Sequence, residues 1–327
     1  MATVDPTLDL GRESRGLRVV EAYNRIKDSV VRTEIEDISN LFSGSNAKVF
    51  AKLENLQETG SFKLRGATNR ILCLTDDERV KGVTTASNGN HGLGIASAAK
   101  QAGVSAEVFV SMPVGPEKTT RIEGYGTRIR RVGAGPLDAE LAAREHASES
   151  GRIFISPYNN WDVLAGQGTV AVELLEQIPD LDAVFVTVGG GGLIGGIGSY
   201  LKYASPRTEV VGCWPEGSRV LYESLKAGHI LSMEEKDTLS ESTTGGVEEG
   251  SITFEVARSV VDSMVLVTEE EILNAMRLAY REKNWIIEGA AAVALAAFIK
   301  TVENYAGKTV AIVICGGNLS ARARKAI

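Results

Sequence analysis

The sequence predicts an α/β fold made of two parallel sheets with helices on both faces. Short β-branched runs alternate with longer amphipathic stretches along most of the 327 residues, a pattern typical of parallel sheets joined by helical crossovers. Several strands, such as residues 183–188, are almost entirely apolar, so we expect them to be buried on both sides. The number of strands favours two sheets rather than one, with divisions near residues 75 and 160.

The individual elements are predicted from the spacing of apolar residues. Eight strands are indicated at residues 48–53, 82–85, 107–110, 128–132, 183–188, 210–213, 264–267 and 309–315. Helical periodicity is found at residues 92–101, 137–150, 163–177, 193–203, 269–282 and 289–305. The acidic segment 234–251, rich in Thr and Gly, has little periodicity. Its composition favours a surface loop over a substrate-facing loop.

The composition argues against several classes of function. The chain has 35 Lys+Arg against 42 Asp+Glu, a net charge of −7, and an acidic balance disfavours nonspecific nucleic-acid binding. The longest apolar run, residues 289–299, is too short to span a bilayer. The first residues lack the basic and apolar regions of a signal peptide. We therefore expect a cytoplasmic protein that has neither nucleic acid nor a membrane as its partner.

Cysteine and histidine usage argues against disulfides and zinc. The three cysteines, Cys73, Cys213 and Cys315, form no close pair, which indicates reduced thiols rather than a disulfide framework. The three histidines are far apart and form no HExxH or Cys/His cluster, so no metal ligands are assigned.

The most unusual feature is a run of four glycines, the tetraglycine loop (Gly189, Gly190, Gly191 and Gly192). It follows a predicted strand and precedes a predicted helix, where exposed N–H groups and the helix dipole favour an anion such as phosphate. A tight turn alone would need only one or two glycines. Gly190, Gly192 and Gly195 also match the dinucleotide pattern GxGxxG, with Glu216 as the acid after the next strand. A nucleotide-dependent oxidoreductase is therefore an alternative.

Two further segments carry candidate chemistry. Lys63 lies in Thr59-Gly60-Ser61-Phe62-Lys63-Leu64-Arg65-Gly66. It could be a solvated residue at a helix start or a partly buried amine with a lowered pKa, usable as nucleophile and base. Ser87-Asn88-Gly89-Asn90-His91 opens a predicted helix. That cluster fits an ordinary N-cap and turn as well as a carboxylate site.

These loops, in this order, resemble the fold type II pyridoxal-phosphate enzymes, the threonine/serine dehydratase and serine racemase family. The similarity rests on residues 53–67, on Ser87-Asn88-Gly89-Asn90-His91-Gly92, on the tetraglycine loop with Leu193, on Glu288-Gly289-Ala290, and on Cys315-Gly316-Gly317-Asn318. It extends from about Tyr23 to Ser320. It implies a tryptophan synthase β-like fold, with a large domain of residues 1–74 and 161–327 and a small inserted domain of residues 75–160.

The resemblance also implies a role for each matching residue. Lys63 would bind pyridoxal 5'-phosphate covalently and act as the catalytic base. Phe62 would flank the ring, the tetraglycine loop and Leu193 would hold the phosphate, and Glu288 would lie near the ring. Asn90 would bind the ring hydroxyl, and Cys315 would face the ring nitrogen. The substrate carboxylate would be surrounded by Ser87, Asn88, Asn90 and His91.

The implied activity is that of an ammonia-lyase which converts a β-hydroxy amino acid, threonine or serine first, to a 2-oxo acid and ammonia. Threo-3-hydroxyaspartate and a β-aryl serine such as phenylserine are alternative substrates. Racemisation of serine is an alternative reaction. We expect a homodimer that acts on a free amino acid.

The sequence departs from the family pattern in three places. Asn88 occupies the position of the racemase serine, and an amide is a poor acid or base, so racemisation should be weak. Trp214-Pro215 replaces the Glu-Pro of the divalent-cation site, which leaves the cation requirement open. Thr33-Glu34-Ile35 replaces the usual Thr-Pro-Leu. The chain continues only nine residues beyond Asn318, so we expect no carboxy-terminal regulatory domain.

Overall fold

The computed structural model describes residues 11–327, whose strands form two separate sheets. The six-stranded sheet has the order β1-β2-β10-β7-β8-β9, and the four-stranded sheet has the order β5-β4-β3-β6. The strands are β1 (Ile35–Asp37), β2 (Lys48–Lys52), β3 (Val83–Ala86), β4 (Ala106–Ser111), β5 (Arg128–Val132), β6 (Ile153–Phe154), β7 (Ala183–Thr187), β8 (Glu209–Pro215), β9 (Ser263–Val267) and β10 (Thr309–Val313).

Helices cover both faces of the two sheets. They are α1 (Arg12–Ile26), α2 (Lys63–Leu72), α3 (Asp76–Lys81), α4 (Asn90–Ala102), α5 (Pro116–Glu123), α6 (Pro136–Ser150), α7 (Trp161–Gln177), α8 (Gly192–Ala204), α9 (Val220–Ala227), α10 (Ile252–Val260), α11 (Glu269–Lys283), α12 (Gly289–Thr301) and α13 (Ala321–Ala326). Within residues 11–327 we find no helix whose length and apolar content would let it traverse a bilayer.

The predicted α/β architecture with parallel sheets is confirmed, with one antiparallel edge. All eight predicted strands are present, and their pairings with one another are parallel. The edge strand β1 was not predicted and pairs antiparallel with β2, with Ile35 opposite Lys52. A local loop joins these two strands, and antiparallel neighbours need no crossover helix. With three residues, β1 is too short to give an alternating pattern.

Burial follows from the apolar character of the central strands. Every residue of β7 is buried, and so is every residue of β10 after Thr309. In the four-stranded sheet, alternation along β4 sends Val108 towards α4 and Phe109 towards α6. Both faces of this sheet are therefore covered. Its strands lie between residues 83 and 154, inside the predicted inserted domain of residues 75–160, whose limits stay a prediction.

The parallel strands place the unusual loops at their carboxyl ends, where open α/β sheets bind ligands. The tetraglycine loop follows β7, and Ser87 and Asn88 follow β3. Cys315 lies just beyond β10. The sequence prediction extended this last strand to Cys315, but it ends at Val313.

Candidate active site

The loop before α2 is hydrogen-bonded to the segment that follows β10, and this pairing brings Lys63 close to Cys315. Ser61 forms an antiparallel bridge with Gly316, and the Phe62 N–H donates to the Cys315 carbonyl at 3.1 Å. Lys63 is the first residue of α2. Two segments far apart in sequence thus position one amine.

The Lys63 amine is partly buried. It therefore agrees with the interpretation of this lysine as a buried nucleophile rather than as a solvated residue at a helix start. Its Nζ donates to the Pro157 carbonyl oxygen at 2.9 Å and lies 5.2 Å from the centre of the Phe62 ring. Burial lowers the pKa of Lys63 to about 8, against the opposing charges of Cys315 and Glu288. Near neutral pH, a useful fraction of this lysine is therefore the uncharged, nucleophilic amine.

The tetraglycine loop has the features of an anion site. Gly191 adopts a left-handed φ of +88° as the residue that precedes α8, a conformation that favours glycine. Within residues 11–327, none of the four glycine N–H groups donates to another protein group. Four unpaired donors at a helix start are well suited to bind a phosphate.

Close packing also accounts for these glycines. A Cβ on Gly190 would lie 2.6 Å from the Tyr158 ring, and a Cβ on Gly189 would lie 3.0 Å from the Thr243 backbone. The Tyr158 hydroxyl accepts a hydrogen bond from the Glu248 N–H at 3.1 Å, and burial raises the pKa of Tyr158 to about 12. Tyr158 is thus a fixed, neutral wall of the loop.

The dipeptide Pro157-Tyr158 links the lysine to the tetraglycine loop. Its first residue accepts the hydrogen bond from the Lys63 amine, and its second packs against Gly190 and Gly192. The amine and the candidate phosphate site therefore border the same two residues. No sequence signal singled out this dipeptide.

A chain of polar contacts runs behind Cys315. Asn90 Nδ2 donates to Glu288 Oε1 and Oε2 at 2.9 and 3.0 Å, and Asn318 Nδ2 donates to Asn90 Oδ1 at 2.7 Å. Burial raises the pKa of Glu288, against the hydrogen bonds from Asn90 and Ser242. Burial also raises the pKa of Cys315 well above its usual value, so the thiol is neutral.

The start of α4 provides backbone donors rather than a side-chain cap. The residue before the helix is Gly89, and no side chain caps the first turn. Within residues 11–327, the N–H groups of Asn90, His91 and Gly92 donate to no protein group. No side chain of this cluster therefore acts as an N-cap, although the Ser87 hydroxyl closes a turn onto the Gly89 N–H, and the free donors suit a carboxylate.

The side chains of this cluster differ in what they can offer. Asn88 is engaged with Ser111: its Nδ2 donates to Ser111 Oγ at 2.9 Å, and its Oδ1 accepts from the Ser111 N–H at 3.0 Å. The Ser87 hydroxyl accepts from the Gly89 N–H. Burial, with the nearby Lys63 charge, lowers the pKa of His91 to about 3. The neutral ring donates through Nε2 to the Ile155 carbonyl at 3.2 Å, which leaves Nδ1 as an acceptor.

Segment 234–251 lies closer to the site than its composition indicated. Half of its residues are exposed, yet the Thr243 backbone covers Gly189 and the Ser242 hydroxyl is hydrogen-bonded to Glu288. The segment therefore lies partly at the surface, as its composition favoured, but two of its residues also border the site. The glycines and small hydroxyl residues of the segment permit this close approach.

The residue at the position of the family's cation ligand, Trp214, cannot bind a cation. Trp214 is 1% exposed and packs edge-on against Tyr222 with ring centres 5.6 Å apart. Its indole offers no ligand oxygen. In the described part of the chain, no three His, Cys, Asp or Glu side chains form a group that could hold a metal ion.

The site does fit pyridoxal phosphate. Four unpaired glycine N–H groups match its phosphate, and a buried amine with a lowered pKa matches its aldehyde. The fold and this site together define a class of α/β enzyme in which a lysine amine and a glycine-rich anion loop border the same short segment. A family model described as "Pyridoxal-phosphate dependent enzyme" matches residues 26–316. The chain belongs to this family and is pyridoxal-phosphate dependent.

Individual relatives agree with this membership. The chain is 38% identical to an L-threonine ammonia-lyase of Thermotoga maritima, over 92% of this chain and 75% of the relative. It is 35% identical to an L-threo-3-hydroxyaspartate ammonia-lyase of Saccharomyces cerevisiae, over 92% of each. The structure of maize serine racemase superposes with a TM-score of 0.89 at 30% identity, covering 95% of both chains. The resemblance and fold class expected from sequence are confirmed, and the oxidoreductase alternative is not supported.

Proposed function

We propose that the protein is a pyridoxal-phosphate-dependent ammonia-lyase that converts a β-hydroxy amino acid to a 2-oxo acid and ammonia. The observation that carries this proposal is the Lys63 amine, held 2.9 Å from the oxygen of Pro157, whose neighbour Tyr158 packs against the tetraglycine loop. Two relatives named above are ammonia-lyases, which favours elimination over racemisation.

The cofactor-binding residues are proposed from their contacts. The tetraglycine loop and Leu193 would bind the phosphate through backbone N–H groups, and Phe62 would flank the ring. The Asn90 amide, which donates to Glu288, could instead donate to the ring hydroxyl. The neutral Cys315 thiol would face the ring nitrogen, and Glu288 would lie near the ring.

Lys63 would perform the proton transfer. The bound cofactor supplies an aldehyde that condenses with amines and a ring that withdraws electrons from the substrate α-carbon. Displaced by the substrate amine, Lys63 Nζ is a base near neutral pH because its pKa is lowered to about 8. It would remove the α-proton, and Lys63 Nζ, protonated in this way, would then hold the proton that the β-hydroxyl needs in order to leave as water.

Substrate binding would rest on the first turn of α4. The N–H groups of Asn90 and His91 can donate to the substrate carboxylate, with the Ser87 hydroxyl beside them. The His91 side chain would contribute an acceptor at Nδ1 rather than a donor. Asn88 would contribute less than we expected from the sequence, since Ser111 occupies both of its polar atoms.

The substrate can be assigned by a panel assay. We would measure ammonia and 2-oxo acid released from threonine, serine, threo-3-hydroxyaspartate and phenylserine. Enzyme stripped of cofactor with hydroxylamine, and the same sample after cofactor is restored, are the controls. We expect ammonia to be released from at least one of the four amino acids. This activity should be lost when the cofactor is stripped and regained when it is restored. If the cofactor-loaded enzyme releases no ammonia from any of the four, the proposed function is wrong.

The setting of the enzyme is also proposed. We expect a homodimer in the cytoplasm, and the three free thiols are consistent with a reducing compartment. Light scattering coupled to size-exclusion chromatography would give twice the 34.8 kDa chain mass for the dimer. A mass of one chain would contradict it.

A further inference from the structure

Four charged side chains lie in the core behind Lys63. This ion quartet (Lys52, Glu54, Arg65 and Glu173) is between 0% and 1% exposed. Charged residues are almost never buried to this degree unless they are paired. Arg65 follows Lys63 by two helical positions, about 200° around the axis. The two cations therefore project from opposite sides of α2.

Glu173 is the member that joins both cations. Its Oε1 and Oε2 accept from Arg65 Nη1 and Nη2 at 2.6 and 2.9 Å, and its Oε2 also accepts from Lys52 Nζ at 2.6 Å. Glu54 completes the quartet with two 2.8 Å bonds from Arg65. Bidentate pairs of this kind fix orientation as well as distance.

The quartet connects three elements of the large sheet region. Lys52 ends β2 and Glu54 lies two residues further on. Arg65 is in the first turn of α2, and Glu173 is in the carboxy-terminal part of α7. The turn that carries Lys63 is therefore held between the sheet and α7.

Helix α7 also touches the helix that begins at the tetraglycine loop. A Cβ on Gly166 would lie 2.6 Å from the α2 backbone at Gly66, and a Cβ on Gly168 would lie 2.7 Å from the α8 backbone at Gly196. Since α2 begins at Lys63 and α8 begins within the tetraglycine loop, α7 sets the spacing between them.

We propose that Glu173 is a positioning residue, which fixes the Lys63 amine relative to the tetraglycine loop by locking the first turn of α2 onto α7. Apolar side chains of equal volume could support this core at least as well, so what the ion pairs add is a defined geometry. This inference rests on the proposed function, because the proposed function makes the Lys63 amine the reacting group.

The test replaces Glu173 by the isosteric amide. Glu173→Gln keeps the size and one acceptor but removes the charge, while Glu176→Gln on the same helix is the matched control. Glu176 is exposed and pairs with Arg32 at the surface. Each purified holoenzyme is assayed for kcat, KM, cofactor dissociation constant, and the fraction of Lys63 carrying reduced cofactor after borohydride treatment.

A positioning role has a distinct signature. For Glu173→Gln we expect kcat to fall about 10- to 100-fold per loaded site, as an ångström-scale displacement of a reacting group does. We also expect KM within about twofold of wild type and a lower labelled fraction of Lys63 at limiting cofactor. Glu176→Gln should match wild type in every measurement.

A second variant covers the case in which the unbalanced charge prevents folding. Lys52→Met/Glu173→Gln leaves the quartet neutral, with the Arg65–Glu54 pair intact, and is expected to fold with the same loss of kcat. If either folded variant retains wild-type kcat and cofactor affinity and loses only resistance to urea, the positioning role is wrong. If wild type releases no ammonia but still attaches cofactor to Lys63, the proposed function fails, while the labelling comparison still decides the role of Glu173.

Discussion

Helix α2 carries two buried cations with opposite surroundings. Among residues 11–327, Lys63 Nζ has one hydrogen-bond acceptor, the Pro157 oxygen, and its pKa is lowered by burial. Arg65, two residues later, has two bidentate carboxylate partners. Burial disfavours its charge, but Glu54 and Glu173 outweigh that effect and raise the pKa of Arg65.

The difference separates a reactive group from a supporting one. A buried cation with full ionic pairing stays charged and holds its geometry, because losing any partner leaves an uncompensated charge. A buried cation with few partners is easily deprotonated and can react. One helix thus provides a rigid anchor on one face and a poised amine on the other.

The largest effect is expected at the poised amine. Lys63→Ala should lower ammonia release at least about 10³-fold, since it removes both the cofactor attachment point and the base. Lys226→Ala, at an exposed position on α9, should be indistinguishable from wild type. Steady-state assays with saturating cofactor measure both, and substantial turnover by Lys63→Ala would contradict the role assigned to this lysine.

The next largest effect is expected at Arg65, where a substitution should change the free energy of unfolding. Arg65→Met removes the ion-pair partner of the buried Glu54 and leaves Glu173 paired with Lys52 alone, so it should lower the free energy of unfolding by about 3–5 kcal/mol. Arg258→Met, at an exposed pair with Glu255, should change it by about 0–1 kcal/mol. Urea denaturation measures both values. Equal effects of the two substitutions would remove the contrast between the two faces of α2.

The pH dependence of cofactor attachment sharpens the contrast further. Because the neutral amine is the nucleophile, the rate constant for attachment to cofactor-free enzyme should rise about tenfold per pH unit below pH 8. It should level off above that pH, since the pKa of Lys63 is lowered to about 8. Stopped-flow absorbance follows this step. A rate that still rises steeply at pH 10 would indicate an ordinary solvated lysine.

The smallest effect is expected at Asn88, the position of the racemase serine. Asn88→Ser introduces a hydroxyl that can carry a proton, so serine racemisation should rise about tenfold, within the range of a single acid–base group. Asn88→Ala loses the same Ser111 contacts without gaining a hydroxyl and should show no such rise. Chiral chromatography of the product distinguishes them, and equal D-serine from both variants would contradict the explanation.

The sequence predicted the apolar strands and the glycine loops well, but not the buried polar contacts. Strands β7 and β10 read as continuous apolar runs, and their burial follows directly. The ion quartet escaped prediction because Lys52, Arg65 and Glu173 have the polar identity of surface residues. Only tertiary pairing reveals that they are inside.

Site residues were predictable where a loop has an unusual composition. The tetraglycine loop and the Ser87–His91 cluster follow strands in the sequence, and the structure places them at the carboxyl ends of those strands. Pro157 and Tyr158 have no such composition, and their contacts with Lys63 and Gly190 arise only from the path of the chain before α7. The antiparallel β1 was missed for a similar reason, since its pairing depends on β2 rather than on its own three residues.

The most direct measurement is peptide mass spectrometry of the enzyme after borohydride reduction. If one amine binds the cofactor, the loss of the visible band should coincide with a single modified peptide, with the reduced pyridoxal-phosphate mass on Lys63. Modification spread over several lysines, or concentrated on a lysine other than Lys63, would contradict the account.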